Sequence, residues 1–226
     1  MEGILNHGEI SLAHHGVLFL DELPEFNKSA IEVLRTPLED KSVTISRLNS
    51  SVSYPCNFMF IASMNPCPCG YFGSKERNCT CKEYQIKNYI NKISGPLLDR
   101  IDLHIEVEGV KYSKLQNDKT RIESSYEIRK RVNKARNIQL DRYKNYSIYS
   151  NSELTPQLLA RYCKLNLSCK KLLESAFDKL GLSARAYSRI LKVARTIADL
   201  ECSSEIEISH LSEAIQYRSL DRKYWK

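Results

Sequence analysis

A short apolar run that stops on two carboxylates, Gly16-Val17-Leu18-Phe19-Leu20-Asp21-Glu22, sets the tightest limit on how this 226-residue chain can fold. The run lacks polar alternation, which predicts a strand covered on both faces inside an α/β sheet. In such sheets ligands bind beyond the carboxyl ends of the strands. An Asp at that position can hold Mg²⁺, directly or through water, beside phosphate oxygens. A following Glu can polarise an attacking water. A strand that merely stops at a polar surface fits the same seven residues, so the run alone leaves both readings open.

Two further segments bear on that choice. Asn57–Ser63 reads as a second buried strand, and it leads into Ser63-Met64-Asn65-Pro66. An amide at Asn65 can orient a water, or it can simply open a turn before proline. Gly95-Pro96-Leu97-Leu98-Asp99-Arg100-Ile101-Asp102 places an arginine between a short helix and an alternating segment. A guanidinium suits the equatorial charge of a transferring phosphoryl group, and equally a surface ion pair with Asp99 or Asp102.

The rest of the first half mixes strands and helices. Asn27 can cap a helix through Arg35, with Pro37 ending or kinking it. Ser42–Ser46 and Ser51–Tyr54 read as strands around a turn at Arg47-Leu48-Asn49-Ser50. Lys82–Ile93 reads as a helix. Ile101, Leu103, Ile105 and Val107 alternate with polar residues, which predicts a half-buried strand.

From about residue 120 the texture is helical. Ile128, Val132, Ala135 and Ile138 share one helical side. Thr155-Pro156 is an N-cap with proline at the first helical position. Gly181 should end one helix and Ser183 cap the next. Ser209 can cap a short last one. The polar segment 109–122 reads as a linker, so the expected organisation is 1–110, a linker at 111–122, and 123–226.

Charge divides the same way. Residues 1–110 carry 10 Lys+Arg and 14 Asp+Glu, a net −4; residues 111–226 carry 24 and 13, a net +11. A basic half fits nucleic acid, an acidic protein surface or no specific partner. The helix bearing Arg129, Lys130, Arg131, Lys134 and Arg136 is the best nucleic-acid candidate by charge, against the plainer reading of a solvated face. Hydrophobic residues make up 42% of the chain and charged ones 27%, which excludes wholesale disorder. No apolar run approaches the ~20 residues of a membrane helix, and Met1–Asn6 has neither basic flank nor apolar core, so a cytoplasmic protein is expected.

There the cysteines should be reduced thiols or metal ligands. Cys67-Pro68-Cys69 and Cys79-Thr80-Cys81 place four of the eight within one short loop. Four thiols can close a tetrahedral Zn²⁺ site that braces a loop. A structural metal or a redox-sensitive clip is favoured over free thiols, although the spacing is tighter than C-x₂-C. Cys56, Cys163, Cys169 and Cys202 read as packing residues. The five histidines, including the His14-His15 pair, carry no metal role.

Taken in order, these segments resemble the AAA+ ATPases, most closely the Mg-chelatase-like branch of ComM/YifB type. Gly8–Phe26 is similar to that family's Walker B region, Met64–Gly70 to its sensor-1 segment and Gly95–Asp102 to its arginine-finger segment. Gly181–Tyr187 with Val193–Leu200 is similar to its C-terminal helical domain. The resemblance implies an α/β fold: a partial AAA+ parallel-sheet core followed by an all-α lid domain. It implies ATP and Mg²⁺ as cofactors, with Asp21 supporting Mg²⁺, Glu22 activating water and Asn65 as sensor 1. Arg100 would be the finger reaching a neighbouring subunit's nucleotide. Arg185 would be sensor 2, with Arg189 as its rival one turn on. The partner is then the chain itself, in a ring that is usually hexameric.

The hairpin tip at Arg47 and Asn49 corresponds to one that touches DNA in related ATPases. A DNA motor for branch migration or helicase action in competence or recombination is therefore the first functional expectation. The alternatives are a chelatase-type motor that remodels a protein partner, and a non-catalytic ring-docking fragment. The chain departs from the family in one respect: it contains no Gly-x-x-x-x-Gly-Lys-Ser/Thr loop. The reading is therefore the C-terminal part of a longer protein, with little ATPase activity alone.

Overall fold

The computed structural model of the chain describes residues 8–47, 50–75, 77–107, 109 and 123–218. The chain divides into a first compact unit ending at Ile101 and a second beginning at Asp102. The segment 110–122, which includes the whole expected linker at 111–122, lies outside the described residues.

The first unit is α/β. It opens with α1 (Glu9–Leu12) and β1 (Val17–Leu20), followed by a 3₁₀ turn at Leu23–Glu25, α2 (Lys28–Val33) and α3 (Arg35–Asp40). A hairpin of β2 (Ser42–Arg47) and β3 (Ser50–Pro55) leads to β4 (Met59–Ala62). Two helices close the unit, α4 (Glu83–Ile90) and α5 (Gly95–Leu98). β1 and β4 pair in parallel, with Val17 opposite Met59 and Leu20 opposite Ala62. Parallel strands need a long crossover, which α2, α3 and the hairpin supply.

Because side chains alternate along a strand, Leu18, Leu20 and Phe60 share the face that packs on Leu23, Ile31, Leu34, Ile93, Leu97 and Leu98. The opposite face is open. Val17, Phe19, Met59 and Ile61 are exposed by 56, 57, 62 and 44%. This differs from the expectation of strands covered on both faces: among the described residues only one side of the pair is packed.

Local chemistry explains two further differences. The expected helix from Asn27 to Arg35 breaks at Leu34 and restarts, so Pro37 falls in the first turn of α3, where its missing N–H disturbs nothing. The alternating residues 101–107 form no strand. Period two requires a partner edge as well as a pattern, and among the described residues no ladder reaches them; Leu103, Ile105 and Val107 are exposed.

The second unit is all helical: α6 (Ser125–Tyr143), α7 (Pro156–Tyr162), α8 (Leu167–Leu180), α9 (Ala184–Leu200) and α10 (Ile208–Gln216). Its capping was legible in the sequence. Thr155 Oγ1 accepts from the Leu158 amide, and Ser183 Oγ accepts from Ala186. Gly181 ends α8 in the left-handed region, at φ 55°. Two expectations shift. Glu207, not Ser209, is the N-cap of α10, because His210 Nδ1 turns back to accept the Glu207 amide at 3.0 Å. In α6 only Ala135, Gln139 and Tyr143 are buried, so Ile128 and Val132 stand on an exposed first half.

The core gathers Tyr143, Leu159, Leu173, Ile190, Leu191 and Leu211. Beside it lies Asp199, fully buried, accepting from Arg142 at 2.8 Å, Arg195 Nε at 3.1 Å and Asn151 Nδ2 at 2.8 Å. Arg195 is itself buried and also donates to the Ser204 carbonyl at 2.9 Å. A buried carboxylate ringed by donors is satisfied, and removing any of them leaves charge uncompensated.

Candidate functional site

The carboxyl end of β1 delivers Asp21 and Glu22 to an exposed edge, and the end of β4 delivers Ser63 beside them. The parallel ladder runs on past the strands: the Ser63 amide donates to the Leu20 carbonyl at 3.0 Å and the Leu23 amide to the Ser63 carbonyl at 2.9 Å. Ser63 Oγ donates to Asp21 Oδ1, which also accepts the Glu22 amide at 3.0 Å. Two donors therefore fix one Asp21 oxygen. The second is left for a cation or its water. Glu22 adopts φ 50°, ψ 48°, the left-handed region that a side chain other than Gly, Asn or Asp enters at a cost. His15, Lys41 and Cys202 enter the same region, and of the four only Glu22 is a carboxylate at this strand end.

Asn65 follows two residues beyond Ser63 and is exposed. The buried Tyr89 lies beside the Asn65 backbone. Burial, then the charges of Glu25 and Glu22, push that phenol up. Asp21, Glu22 and Asn65 thus belong to one end of one parallel strand pair. The acidic end suits a hydrated Mg²⁺, while a glycine-rich loop for the phosphates has no counterpart in the sequence.

Arg100 makes its contacts with other residues. Its side chain is 9% exposed and engaged by Glu39, with Nη1 donating to the Pro96 carbonyl at 2.7 Å. Neither Asp99 nor Asp102 is its ion-pair partner, and its guanidinium is held inward rather than extended. Glu32, Arg35, Thr36, Glu39 and Asp40 line a polar recess of about 230 Å³ around it. Arg185 and Arg189 lie on the first turns of α9 in the second unit, Arg185 exposed and Arg189 paired with Asp102.

Arg47 ends β2, whereas Asn49 lies outside the described residues. Arg129, Lys130, Arg131, Lys134 and Arg136 are all exposed on α6, with Arg131 bound to Glu123.

Cys67, Cys69, Cys79 and Cys81 come together, with all four sulfurs within 4.8 Å of one another. Cys67 Sγ lies 3.4 Å from Cys69 and 3.7 Å from Cys79; Cys69 and Cys79 are 3.5 Å apart. Backbone N–H groups aim at the sulfurs, Phe72 at Cys67 from 3.3 Å. The Tyr71 and Thr80 amides hold the Cys69 thiol down to about 5. The Cys81 amide favours the Cys79 thiolate, yet loss of water and the neighbouring sulfurs outweigh it and push that thiol up to about 12. Of the remaining cysteines, Cys56, Cys163 and Cys169 are buried, as expected of packing residues. Cys202 is not: it is exposed, at φ 60°, just past α9. Sequence reasoning missed Ser63 and Tyr89, whose only signal was their spacing from Asn65 and from the cysteines.

Comparison with known proteins gives the family. The family described as "Magnesium chelatase, subunit ChlI" matches residues 2–115, and its C-terminal counterpart matches residues 122–218. Competence protein ComM of Haemophilus influenzae is 47% identical over 216 residues, 95% of this chain. YifB of Salmonella typhimurium, an uncharacterised protein, is 42% identical over 95% of the chain. An archaeal Lon protease of Methanocaldococcus jannaschii is 26% identical over 84%, covering 24% of that protein. The chain spans about 41% of the length of the ComM and YifB proteins it matches. No helix among the described residues is long and apolar enough to cross a membrane. With Asp21 and Glu22 ending one parallel strand, Asn65 following its neighbour and an all-helical second unit, the chain belongs to the Mg-chelatase-like family of AAA+ ATPases, of ComM/YifB type.

Proposed function

We propose that the full-length protein is an ATP-hydrolysing motor that assembles as a ring, works in the cytoplasm and acts on DNA. One observation carries the ATPase reading: the parallel β1–β4 pair ends in a fixed Asp21 oxygen, a strained and exposed Glu22, and Asn65. Mg²⁺ bound with nucleotide supplies neutralisation of phosphate charge. Asp21 would hold it, through one free carboxylate oxygen. The Glu22 carboxylate would take a proton from water, and the Asn65 amide would orient that water. Arg185, or Arg189 one turn on, would meet the nucleotide from the helical unit. Arg100 would act in trans once released from Glu39, a contribution typically worth about 10³–10⁵ in rate.

Three features support the DNA half: the +11 charge of residues 111–226, the exposed basic face of α6, and the word competence in the name of a 47% identical relative. Arg47 and Asn49 would add contacts from the hairpin tip. The four clustered cysteines would hold a structural Zn²⁺.

The test uses the full-length protein. Wild type should hydrolyse ATP with Mg²⁺, faster with branched DNA, and its DNA affinity should fall steeply with salt. Glu22→Gln should lose about 10²-fold or more in turnover while retaining ring assembly and DNA binding. Turnover unchanged in that variant overturns the site. DNA binding that is absent, or indifferent to salt, overturns the substrate.

A further inference from the structure

The four cysteines lie in a closed circuit of the chain. Cys67 is two residues past Asn65, and Gly70, at φ 82°, turns the chain back so that an added Cβ there would sit 4.0 Å from Asn65 Oδ1. Cys79 and Cys81 return from the far end of the loop, and α4 starts two residues later at Glu83. On α4, Tyr89 is 5% exposed and lies beside the Asn65 backbone, which brings the path back to its origin. The two Cys-x-Cys pairs meet through their sulfurs, Cys79 lying 3.7 Å from Cys67 and 3.5 Å from Cys69.

A Zn²⁺ with four thiolates at ~2.3 Å has sulfurs roughly 3.8 Å apart. The separations of 3.4, 3.5 and 3.7 Å fall just inside that edge length. Cys67 is fully buried and the other three are partly so, as in a closed structural site. The Phe72 amide points at Cys67 Sγ from 3.3 Å and would offset part of the charge of four thiolates.

We infer that Cys67, Cys69, Cys79 and Cys81 bind one Zn²⁺, and that this ion closes the circuit that fixes the Asn65 amide at the end of β4. Binding displaces to solvent the protons that the thiols still carry, and the cation takes their place. Asn65 is then placed by a metal clip and by Tyr89, a positioning residue, rather than by its exposed turn alone. The functional consequence rests on the proposed sensor role of Asn65; the metal site and its hold on the Asn65 backbone do not.

The test again uses the full-length protein, purified without chelators. Elemental analysis should give about one zinc per chain, and Co²⁺ substitution should give the absorption of tetrahedral cobalt thiolate. Stripping zinc with a chelator should speed hydrogen exchange of the Asn65 amide by about tenfold or more, and added Zn²⁺ should restore it. If the protein hydrolyses ATP, stripping should lower kcat by about 10²-fold with little change in KM. Wild-type protein with no zinc, or with these cysteines paired as disulfides, overturns the site. Zinc present but Asn65 exchange unmoved by its removal overturns the coupling. An absence of ATP hydrolysis counts against the motor reading and leaves both of these measurements standing.

Discussion

Glu22 and Cys163 show how single side chains are set by opposite demands. Glu22 occupies left-handed backbone that costs an ordinary residue about 1–2 kcal/mol and that Asn tolerates. Glu22→Asn should therefore leave the unfolding midpoint of the first unit unchanged or higher while lowering ATP turnover of the full-length protein by about 10²-fold or more. A lower midpoint in a thermal scan would show that the carboxylate serves stability instead. Cys163 lies in the core of the second unit, where burial pushes its thiol from 9.0 up to about 11. The unfolded chain starts to lose this proton near pH 9, whereas the folded protein keeps it to about 11. The stability linked to the neutral thiol is present below pH 9 and is lost as pH rises through 11. That amounts to roughly 2–3 kcal/mol. Urea unfolding at pH 8 and pH 11 should show that drop in wild type, and a smaller one in Cys163→Ala. Equal drops in the two proteins would assign it to the tyrosines.

At the scale of elements, α8 and its stop make a clean test. Gly181 takes φ 55° and donates its amide to the Phe177 carbonyl at 2.8 Å. Gly181→Ala keeps that bond but places a Cβ in the left-handed region, so it should cost about 1 kcal/mol in urea unfolding. Asp199→Asn, one helix on, should cost about 3–5 kcal/mol, because Arg142 and Arg195 would lose their buried counter-charge. If the two variants cost the same, the Asp199 network is not a buried ion cluster in energetic terms. Such local devices were legible in the sequence: Thr155, Gly181 and Ser183 act on neighbours three or four residues away, and each was placed correctly. Features that depend on distant partners were not. The alternation at 101–107 has no edge to pair with, and Ile128 and Val132 have the spacing of a buried stripe on a half-helix that nothing described covers. Asp21, Glu22, Asn65 and the four cysteines were readable because their chemistry is concentrated in short strings. Glu39 as the partner of Arg100 and Tyr89 as a neighbour of Asn65 required the folded chain, since 61 residues separate the first pair.

For the molecule as a whole, the open side of the β1–β4 pair matters most. Val17 lies opposite Met59 and Phe19 opposite Ile61, so all four project from the same face and form one apolar patch. Two strands alone are marginal in water, and their stability comes from the packed side carrying Leu18, Leu20 and Phe60. A contiguous apolar patch of this kind favours self-association. It cannot be relieved by charge repulsion within the first half, whose net charge is only −4. The 226-residue chain on its own should therefore self-associate at concentrations of order 10–100 µM, the range in which partly exposed hydrophobic surface aggregates. Phe19→Ser with Ile61→Thr should bring it to a monomer in sedimentation velocity, with an unchanged circular dichroism spectrum, because neither side chain belongs to the packed face. A second pair of changes, Leu18→Ser with Phe60→Ser, should instead unfold the first unit. If both pairs leave association unchanged, or if the wild-type chain is monomeric throughout that range, the open face is not a sticky surface and the exposed apolar residues of α6 become the surface to test.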